Sequence, residues 1–319
     1  MQTIPLNMIR GRKKRAEELP RAPKPEWLKV RAPGSENYTR LKGLMRTLGL
    51  HTVCEEANCP NIGECWDHGT ATFMILGDTC TRSCGYCNVV HGKPKPPDAA
   101  EPVKVASAIH AMNLAYVVIT SVDRDDLHDC GAGHFARTIA ETRARIPGCR
   151  IEVLIPDFKG GATALHTVLD AGPDVLNHNI ETVPRLYRTA RPGGNYARAL
   201  ELLGRSRTHA PSIPTKSGLM VGLGEEWDEV VATLRDLRTA GVQIVTIGQY
   251  LRPSLANLPM VRYYAPAEFA ELKRLGLEMG FGHIEAGPLV RSSYHAHEQA
   301  DALENAGAND GRGLPNSCG

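Results

Sequence analysis

Short apolar runs that alternate with amphipathic stretches constrain the fold of this chain more than any other feature. Six runs rich in β-prone residues span 72–79, 115–122, 150–157, 174–181, 215–222 and 242–251. Apolar strands that alternate with helices are typical of a parallel sheet covered by helices. We expect an α/β fold, a partial (β/α)6 TIM-type barrel with terminal extensions, because every strand precedes a helix without an obvious reversal. Periodicity alone leaves an open sheet as the alternative.

The predicted strands end in polar sequence. One run leads directly into Cys80, and four others lead into SVDRDDLHD, NHNIET, VGLGEE and QYLRPS. The carboxyl ends of parallel strands meet at one side of the sheet, and ligands bind there in both closed and open α/β architectures. Any one polar end could be a solvated loop, but five together predict a ligand-holding mouth.

Four segments are predicted along the chain. Residues 1–34 form an extended arm, in which residues 10–31 carry nine Lys or Arg against three Glu. Residues 35–71 combine a helix with a cysteine-rich loop, residues 72–298 form the barrel and its C-terminal segment, and residues 299–319 form a polar, disordered tail. A charge run of this kind is usually a solvated face, and a contact surface for an acidic partner is the functional alternative.

Composition excludes several classes of protein. The chain has 319 residues, 42% of them hydrophobic, which is enough for a sizeable core. No apolar run reaches the roughly 18 residues that span a bilayer, and the N-terminus lacks the apolar region of a secretory signal. Only 5% of the residues are aromatic, so we expect no nucleic-acid partner. We expect a cytoplasmic protein, and a monomer because no coiled-coil pattern is present.

Six of the nine cysteines lie between residues 54 and 87, in two groups of three. The groups have the spacings C-x4-C-x5-C and C-x3-C-x2-C, and their members are Cys54, Cys59 and Cys65, then Cys80, Cys84 and Cys87. In a reducing compartment, clustered cysteines are metal ligands or catalytic thiols. Zinc prefers four ligands and would need a histidine at an unusual spacing in each group. Three thiolates fit a four-iron cluster with one iron left open.

The second group, with Tyr86 before its last cysteine, resembles the signature of the radical S-adenosylmethionine (SAM) superfamily. In that superfamily, three thiolates bind three irons and the fourth iron chelates the amino and carboxyl groups of SAM. The reduced cluster then releases a 5′-deoxyadenosyl radical, which abstracts hydrogen from an unactivated carbon. The resemblance implies that Cys80, Cys84 and Cys87 are catalytic cluster ligands and that Tyr86 contacts the cofactor.

Residues 35–298 resemble the lipoyl synthase family. The matching sequences are the upstream triad, CGYC leading into NVVHGKP, TSVDRDDL, NHNIETV, TKSGLMVGLGE, QYLRPS and GPLVRSSY. The resemblance implies two [4Fe-4S] clusters, one that cleaves SAM and one on Cys54, Cys59 and Cys65 that gives up sulfur. It also implies insertion of two sulfur atoms at C6 and C8 of an octanoyl chain linked to a lysine. That lysine belongs to a lipoyl carrier domain, either a 2-oxoacid dehydrogenase E2 or the glycine-cleavage H protein, and a low-potential donor supplies the electrons.

The same resemblance implies further site residues. RSSY matches a motif from which a serine ligates the auxiliary cluster, and Ser293 is our choice, with Ser292 the runner-up and a plain turn the structural alternative. Asn179, Glu181 and Lys216 match family sequences at strand ends, and we expect them to contact SAM.

Two other functions are compatible with the cysteine spacing. The first is another sulfur-inserting radical enzyme, but a biotin synthase would lack the upstream triad and a methylthiotransferase would carry an RNA-binding appendage. The second is a non-catalytic iron–sulfur carrier or scaffold, which would not need six βα units with a polar mouth.

The chain departs from the family at RDDLHDCGAG, where a Pro and paired glycines are usual, and we interpret Cys130 there as a spectator.

Overall fold

The computed structural model describes residues 24–29, 34–56, 59, 61–67 and 71–310. Most of the predicted basic arm, and residues 311–319 of the predicted tail, lie outside this range. Within the described ranges, each helix is too short or too polar to cross a lipid bilayer.

An eight-stranded sheet forms the centre of the molecule, and two further short strands form a separate pair. The strands are β1 (His51–Thr52), β2 (Ala71–Ile75), β3 (Thr79–Cys80), β4 (Val90–His91), β5 (Tyr116–Ser121), β6 (Arg150–Leu154), β7 (Val175–Asn177), β8 (Thr215–Val221), β9 (Ile244–Gln249) and β10 (His283–Gly287). The large sheet has the order β1-β2-β5-β6-β7-β8-β9-β10. Strand β1 pairs with β2 in the antiparallel sense, whereas β2 and β5 to β10 pair in parallel and form a barrel that stays open between its two edges.

Most of the described helices connect successive strands, whereas the first precedes β1 and the last follows β10. The helices are α1 (Glu36–Leu48), α2 (Val53–Glu56), α3 (Ile62–Asp67), α4 (Glu101–Ala111), α5 (Ala132–Arg145), α6 (Ala162–Asp170), α7 (Pro184–Ala190), α8 (Tyr196–His209), α9 (Trp227–Thr239), α10 (Pro266–Glu278) and α11 (Ala296–Asp310). The predicted α/β partial barrel is confirmed, and all six predicted strands are present. A seventh parallel strand, β10, was not predicted because its sequence HIEAG is short and partly polar.

Alternate residues of β5 show how the barrel is filled. Val117 and Ile119 point outward and pack in the main core with Ile109 of α4 and Phe135 of α5. Tyr116 and Val118 point inward and pack with Ala296 and Ala300 of α11. Helix α11 therefore lies beneath the amino-terminal ends of the strands.

This position of α11 corrects the prediction of a disordered tail from residue 299. Ala300 is buried, and the side chain of Gln299 donates a hydrogen bond to the backbone oxygen of Tyr294 at 2.7 Å. Arg150, at the start of β6, forms an ion pair with Asp301. The segment is polar in composition, but its small apolar residues share one helix face and fill the floor of the barrel.

Candidate active site

The C-x3-C-x2-C motif begins at the carboxyl end of the first parallel strand. After β2, Leu76 and Gly77 adopt positive φ angles of 70° and 89°, and the chain turns toward Cys80. The backbone N–H of Thr81 donates to the backbone oxygen of Asp123, just beyond β5, at 3.0 Å. The motif therefore lies at the predicted mouth.

Backbone N–H groups point at two of the three sulfur atoms. Those of Arg82 and Asp123 lie 3.4 and 3.3 Å from the Cys80 Sγ, and that of Val89 lies 3.5 Å from the Cys87 Sγ. Burial, together with the negative charge of Asp123, raises the pKa of Cys80 to about 11. Burial likewise raises the pKa of Cys84 to about 12. These thiols are neutral when free, and a bound metal would deprotonate them.

Polar groups from β7 and the loop after it face the motif. Asn179 Nδ2 donates to Glu181 Oε1 at 3.2 Å, and its Oδ1 is buried without a hydrogen-bond partner among the described residues. Burial raises the pKa of Glu181, whereas Arg191, Asn179 and Tyr86 lower it. Glu181 also has a φ angle of 70°, which is uncommon for a side-chain-bearing residue. An unpartnered buried acceptor and a residue with a strained backbone are features of a site for a polar ligand.

The sequence did not single out Arg191, which lies beside this site. Its Nη1 donates to the backbone oxygen of Asn179 at 2.7 Å and to the Tyr187 hydroxyl at 3.1 Å. The residue follows α7 instead of a strand, so its position in the sequence does not indicate that it lies beside the site. Its cationic charge lies among Tyr86, Glu181 and Asp123.

Lys216 lies away from the mouth, and its position argues against the predicted contact with SAM. It is the second residue of β8 and is therefore at the amino-terminal end of that strand. Its Nζ is 3.0 Å from the Glu152 carboxylate, which also accepts hydrogen bonds from Tyr116 and Asn177 at 2.9 Å each. The Lys216 ammonium and the Glu152 carboxylate are both fully buried, so the buried cation is paired with a buried anion inside the barrel.

The first cysteine group lies against the outer edge of the sheet. Cys54 is in α2 and is buried, the N–H of Cys59 donates to the Cys54 backbone oxygen at 3.0 Å, and Cys65 is in α3. Burial, followed by the neighbouring Cys59 and Cys65, raises the pKa of Cys54 well above its usual value. The three cysteines therefore lie near enough to one another for Cys59 and Cys65 to oppose the ionisation of Cys54.

The RSSY sequence lies against this group, although more than 220 residues separate the two in the chain. Asn61 Nδ2 donates to the Leu289 backbone oxygen at 2.7 Å, and the Tyr294 hydroxyl donates to Glu64 Oε1 at 3.1 Å. Burial raises the pKa of Cys59, and the positive charge of Arg291 opposes that shift. The fold therefore brings the RSSY sequence, with the predicted serine, to the side of the barrel that holds the first cysteines.

Comparison with known proteins identifies the family. A model of the radical SAM superfamily matches residues 74–237, and a model of the N-terminal domain of lipoyl synthase matches residues 6–59. The lipoyl synthase of Rubrobacter xylanophilus is 59% identical over 285 residues, covering 89% of each chain. The lipoyl synthase of Thiobacillus denitrificans is 58% identical over 279 residues, covering 87% of this chain and 90% of its own.

The chain belongs to the lipoyl synthase family. It is a radical SAM enzyme of sulfur insertion in lipoyl biosynthesis, and its superfamily implies SAM and a [4Fe-4S] cluster. The fold of the chain is also similar to that of methylornithine synthase (PylB), with a TM-score of 0.51 at 13% identity over 86% of this chain and 90% of that chain. It resembles the hydrogenase maturase HydG as well, with a TM-score of 0.55 at 15% identity over 73% of this chain and 54% of that chain.

The zinc alternative finds no support in the part of the chain that the structure describes. No three described His, Cys, Asp or Glu side chains there form a group that could hold a single metal ion. Zinc takes four protein ligands in a structural site, whereas three thiolates are enough for a four-iron cluster with one iron left open.

Proposed function

We propose that this enzyme adds two sulfur atoms, at C6 and C8, to an octanoyl chain carried on a lysine of a lipoyl carrier domain. The product is the lipoyl cofactor. The carrier is a 2-oxoacid dehydrogenase E2 or the glycine-cleavage H protein, and a low-potential donor supplies the electrons. One observation carries the proposal, namely that the chain holds two separate groups of three buried or half-buried thiols, one at the barrel mouth and the other against the outer edge of the sheet.

Each group has its own role in this proposal. Cys80, Cys84 and Cys87 hold the cluster that cleaves SAM, and Cys54, Cys59 and Cys65, with Ser293, hold a second [4Fe-4S] cluster that donates sulfur. When bound, the first cluster and SAM supply a radical that abstracts hydrogen from an unactivated carbon. A direct contact supports cooperation between the groups, because Asn88 Nδ2, one residue after the motif, donates to the Glu56 backbone oxygen of α2 at 2.9 Å.

The chain's own residues prepare the site for these groups. Tyr86, Asn179 and Glu181 bind the polar parts of SAM, and the unpartnered Asn179 Oδ1 accepts a hydrogen bond from it. Gly218 of β8 leaves room for Asn179, since an added Cβ would lie 2.8 Å from that Oδ1.

Substitution of the two groups tests this division. Changing Cys80, Cys84 or Cys87 to Ala should abolish 5′-deoxyadenosine formation, because the SAM-cleaving cluster loses a thiolate. Changing Cys54, Cys59 and Cys65 together should leave about half of the iron, because one of two similar clusters is lost. That triple variant should still cleave SAM but form neither the lipoyl group nor a monothiolated intermediate.

Iron analysis, a 5′-deoxyadenosine assay and mass spectrometry of the carrier peptide measure these outcomes together. Cys149→Ala is the matched control, because Cys149 is a buried thiol just before β6 whose Sγ lies 3.6 Å from the Arg150 backbone oxygen. Sulfur-containing product from the triple variant would refute the proposed source of sulfur.

A further inference from the structure

Arg82, between the first two cysteines of the motif, turns its side chain into the protein. The side chain is only 4% exposed. Its Nε and Nη2 donate to the two oxygens of Asp125 at 2.7 and 2.8 Å, and Nη2 also donates to Asp157 at 2.6 Å. Its Nη1 lies 3.4 Å from Asp123 Oδ1. One guanidinium thus connects the motif to carboxylates that follow β5 and β6.

Asp123 links this network to a cluster ligand. Its backbone N–H donates to the Cys80 Sγ at 3.3 Å, and its Oδ2 lies 3.8 Å from the same sulfur. A carboxylate this close adds negative charge next to a thiolate, and the guanidinium of Arg82 offsets it. The reduction potential of an iron–sulfur cluster depends on neighbouring charge and on hydrogen bonds to its sulfur atoms.

Arginine suits this position better than lysine. Two parallel hydrogen bonds to Asp125 fix the orientation of the guanidinium plane, and its Nη1 and Nη2 reach two further carboxylates. A lysine would keep the positive charge without the fixed geometry. The two functions of the side chain, orientation and charge, can therefore be separated by substitution.

We propose that Arg82 is a positioning residue that fixes the C-x3-C-x2-C loop on the ends of β5 and β6 and balances the charge of Asp123 beside Cys80. The inference rests on the proposed function, because it takes Cys80 as a cluster ligand. Asp157 keeps a second cation, Arg198 at 3.2 Å, and the charge of Arg191 also acts on Asp123, so removal of Arg82 weakens the positive charge around Asp123 without abolishing it.

The test uses the full chain, reconstituted with iron and sulfide without oxygen, as wild type, Arg82→Gln, Arg82→Lys and the double variant Arg82→Gln/Asp123→Asn. Arg274→Gln is the matched control, because Arg274 also binds two carboxylates but lies on the surface of α10. Redox titration followed by electron paramagnetic resonance gives the midpoint potential of the cluster whose signal changes on addition of SAM.

We expect a more negative potential and a smaller SAM-responsive signal for Arg82→Gln, and a return toward wild type in the double variant. Arg82→Lys should keep the wild-type potential with a reduced signal. If Arg82→Gln assembles no cluster, recovery of the signal in the double variant supports the inference and its absence there contradicts it. An unshifted potential in Arg82→Gln, or a double variant whose potential is no closer to wild type than that of Arg82→Gln, also contradicts it. A wild-type protein without a SAM-responsive signal would contradict the proposed function instead.

Discussion

Gly248 of β9 shows how closely the RSSY segment packs on the sheet. A Cβ built on this residue would lie 2.1 Å from the Val290 backbone oxygen and 3.3 Å from the Arg291 Nη1. A contact of 2.1 Å to a backbone atom cannot be relieved by rotating a side chain, so the segment itself would have to move. At this position the absence of a side chain sets the distance between β9 and the residues that precede Ser293.

We therefore expect Gly248→Ala to destabilise the protein by about 1–3 kcal/mol, the usual cost of overpacking. Sulfur insertion should fall more than 5′-deoxyadenosine formation, because the displaced segment carries the proposed serine ligand. Thermal unfolding and the two product assays measure the effect. Gly204→Ala in α8 is the control, since its Cβ would meet only the Ala240 backbone oxygen, at 3.9 Å. Equal effects of the two substitutions would argue against this account.

The identity of the serine ligand is a second question at this scale. We expect Ser293→Ala to permit SAM cleavage and to impair sulfur insertion, because the auxiliary cluster loses its oxygen ligand. Mass spectrometry of the carrier peptide gives the outcome. Full product from Ser293→Ala together with an inactive Ser292→Ala would identify the other serine, and activity in both variants would exclude serine ligation.

Among the elements, β10 and α11 hold the RSSY segment from both sides. β10 is paired with β9 through five residue pairs, and α11 is anchored in the barrel floor by Ala296 and Ala300. Between these two elements, the segment contacts α3 and the loop before it. The N-terminal extension and the C-terminal segment therefore meet across the gap between the two edges of the open sheet.

We expect Glu64 of α3 to stabilise the contact between α3 and the RSSY sequence. Its Oε1 accepts a hydrogen bond from the Tyr294 hydroxyl at 3.1 Å and lies 3.4 Å from the His295 Nε2. The site is partly exposed, so Glu64→Ala should cost no more than about 1 kcal/mol, and loss of iron to a chelator should become faster by at most about fivefold. Only the auxiliary half of the iron should respond. Glu278→Ala on α10 is the control, and equal rates for both variants would contradict the role of Glu64.

In the molecule as a whole, the proposed SAM-cleaving and sulfur-donating clusters lie on different parts of one sheet. The C-x3-C-x2-C motif follows β2 at the mouth, whereas the upstream triad lies outside the sheet, along the edge that β1 forms with β2. In the proposed function the substrate chain reaches between the two clusters, and we therefore expect the carrier domain to dock near the mouth. Residues 10–23, which carry most of the charge of the basic arm, are outside the described structure, and the role of the arm in docking stays a prediction.

We expect the basic arm to bind the carrier through charge. Replacing Arg12, Lys13, Lys14 and Arg15 by Ser should raise the apparent KM for the octanoylated carrier and weaken its dependence on salt, because exposed charges are screened at moderate ionic strength. Initial rates at two salt concentrations measure this. Lys273→Ser on α10 is the control, because it removes a partly exposed positive charge outside the arm. An unchanged KM at low ionic strength would exclude the arm as a docking element.

The sequence by itself determined the features that depend on local spacing. The βα alternation predicts the parallel sheet, because strand and helix periods are visible within a few residues. The spacing of Cys80, Cys84 and Cys87 predicts a cluster loop, and its place after the first strand predicts the mouth. These inferences need no knowledge of distant contacts.

Only the tertiary structure decided which residues from distant parts of the chain meet. It pairs Lys216 with Glu152 inside the barrel, brings Arg82 to Asp157, and places the RSSY segment against Asn61. The physical reason is that a buried charge requires a partner, and the partner is chosen by the three-dimensional packing of strands whose separation in sequence carries no signal. A charged residue near a strand end therefore looks the same in sequence whether it faces a cofactor or another side chain.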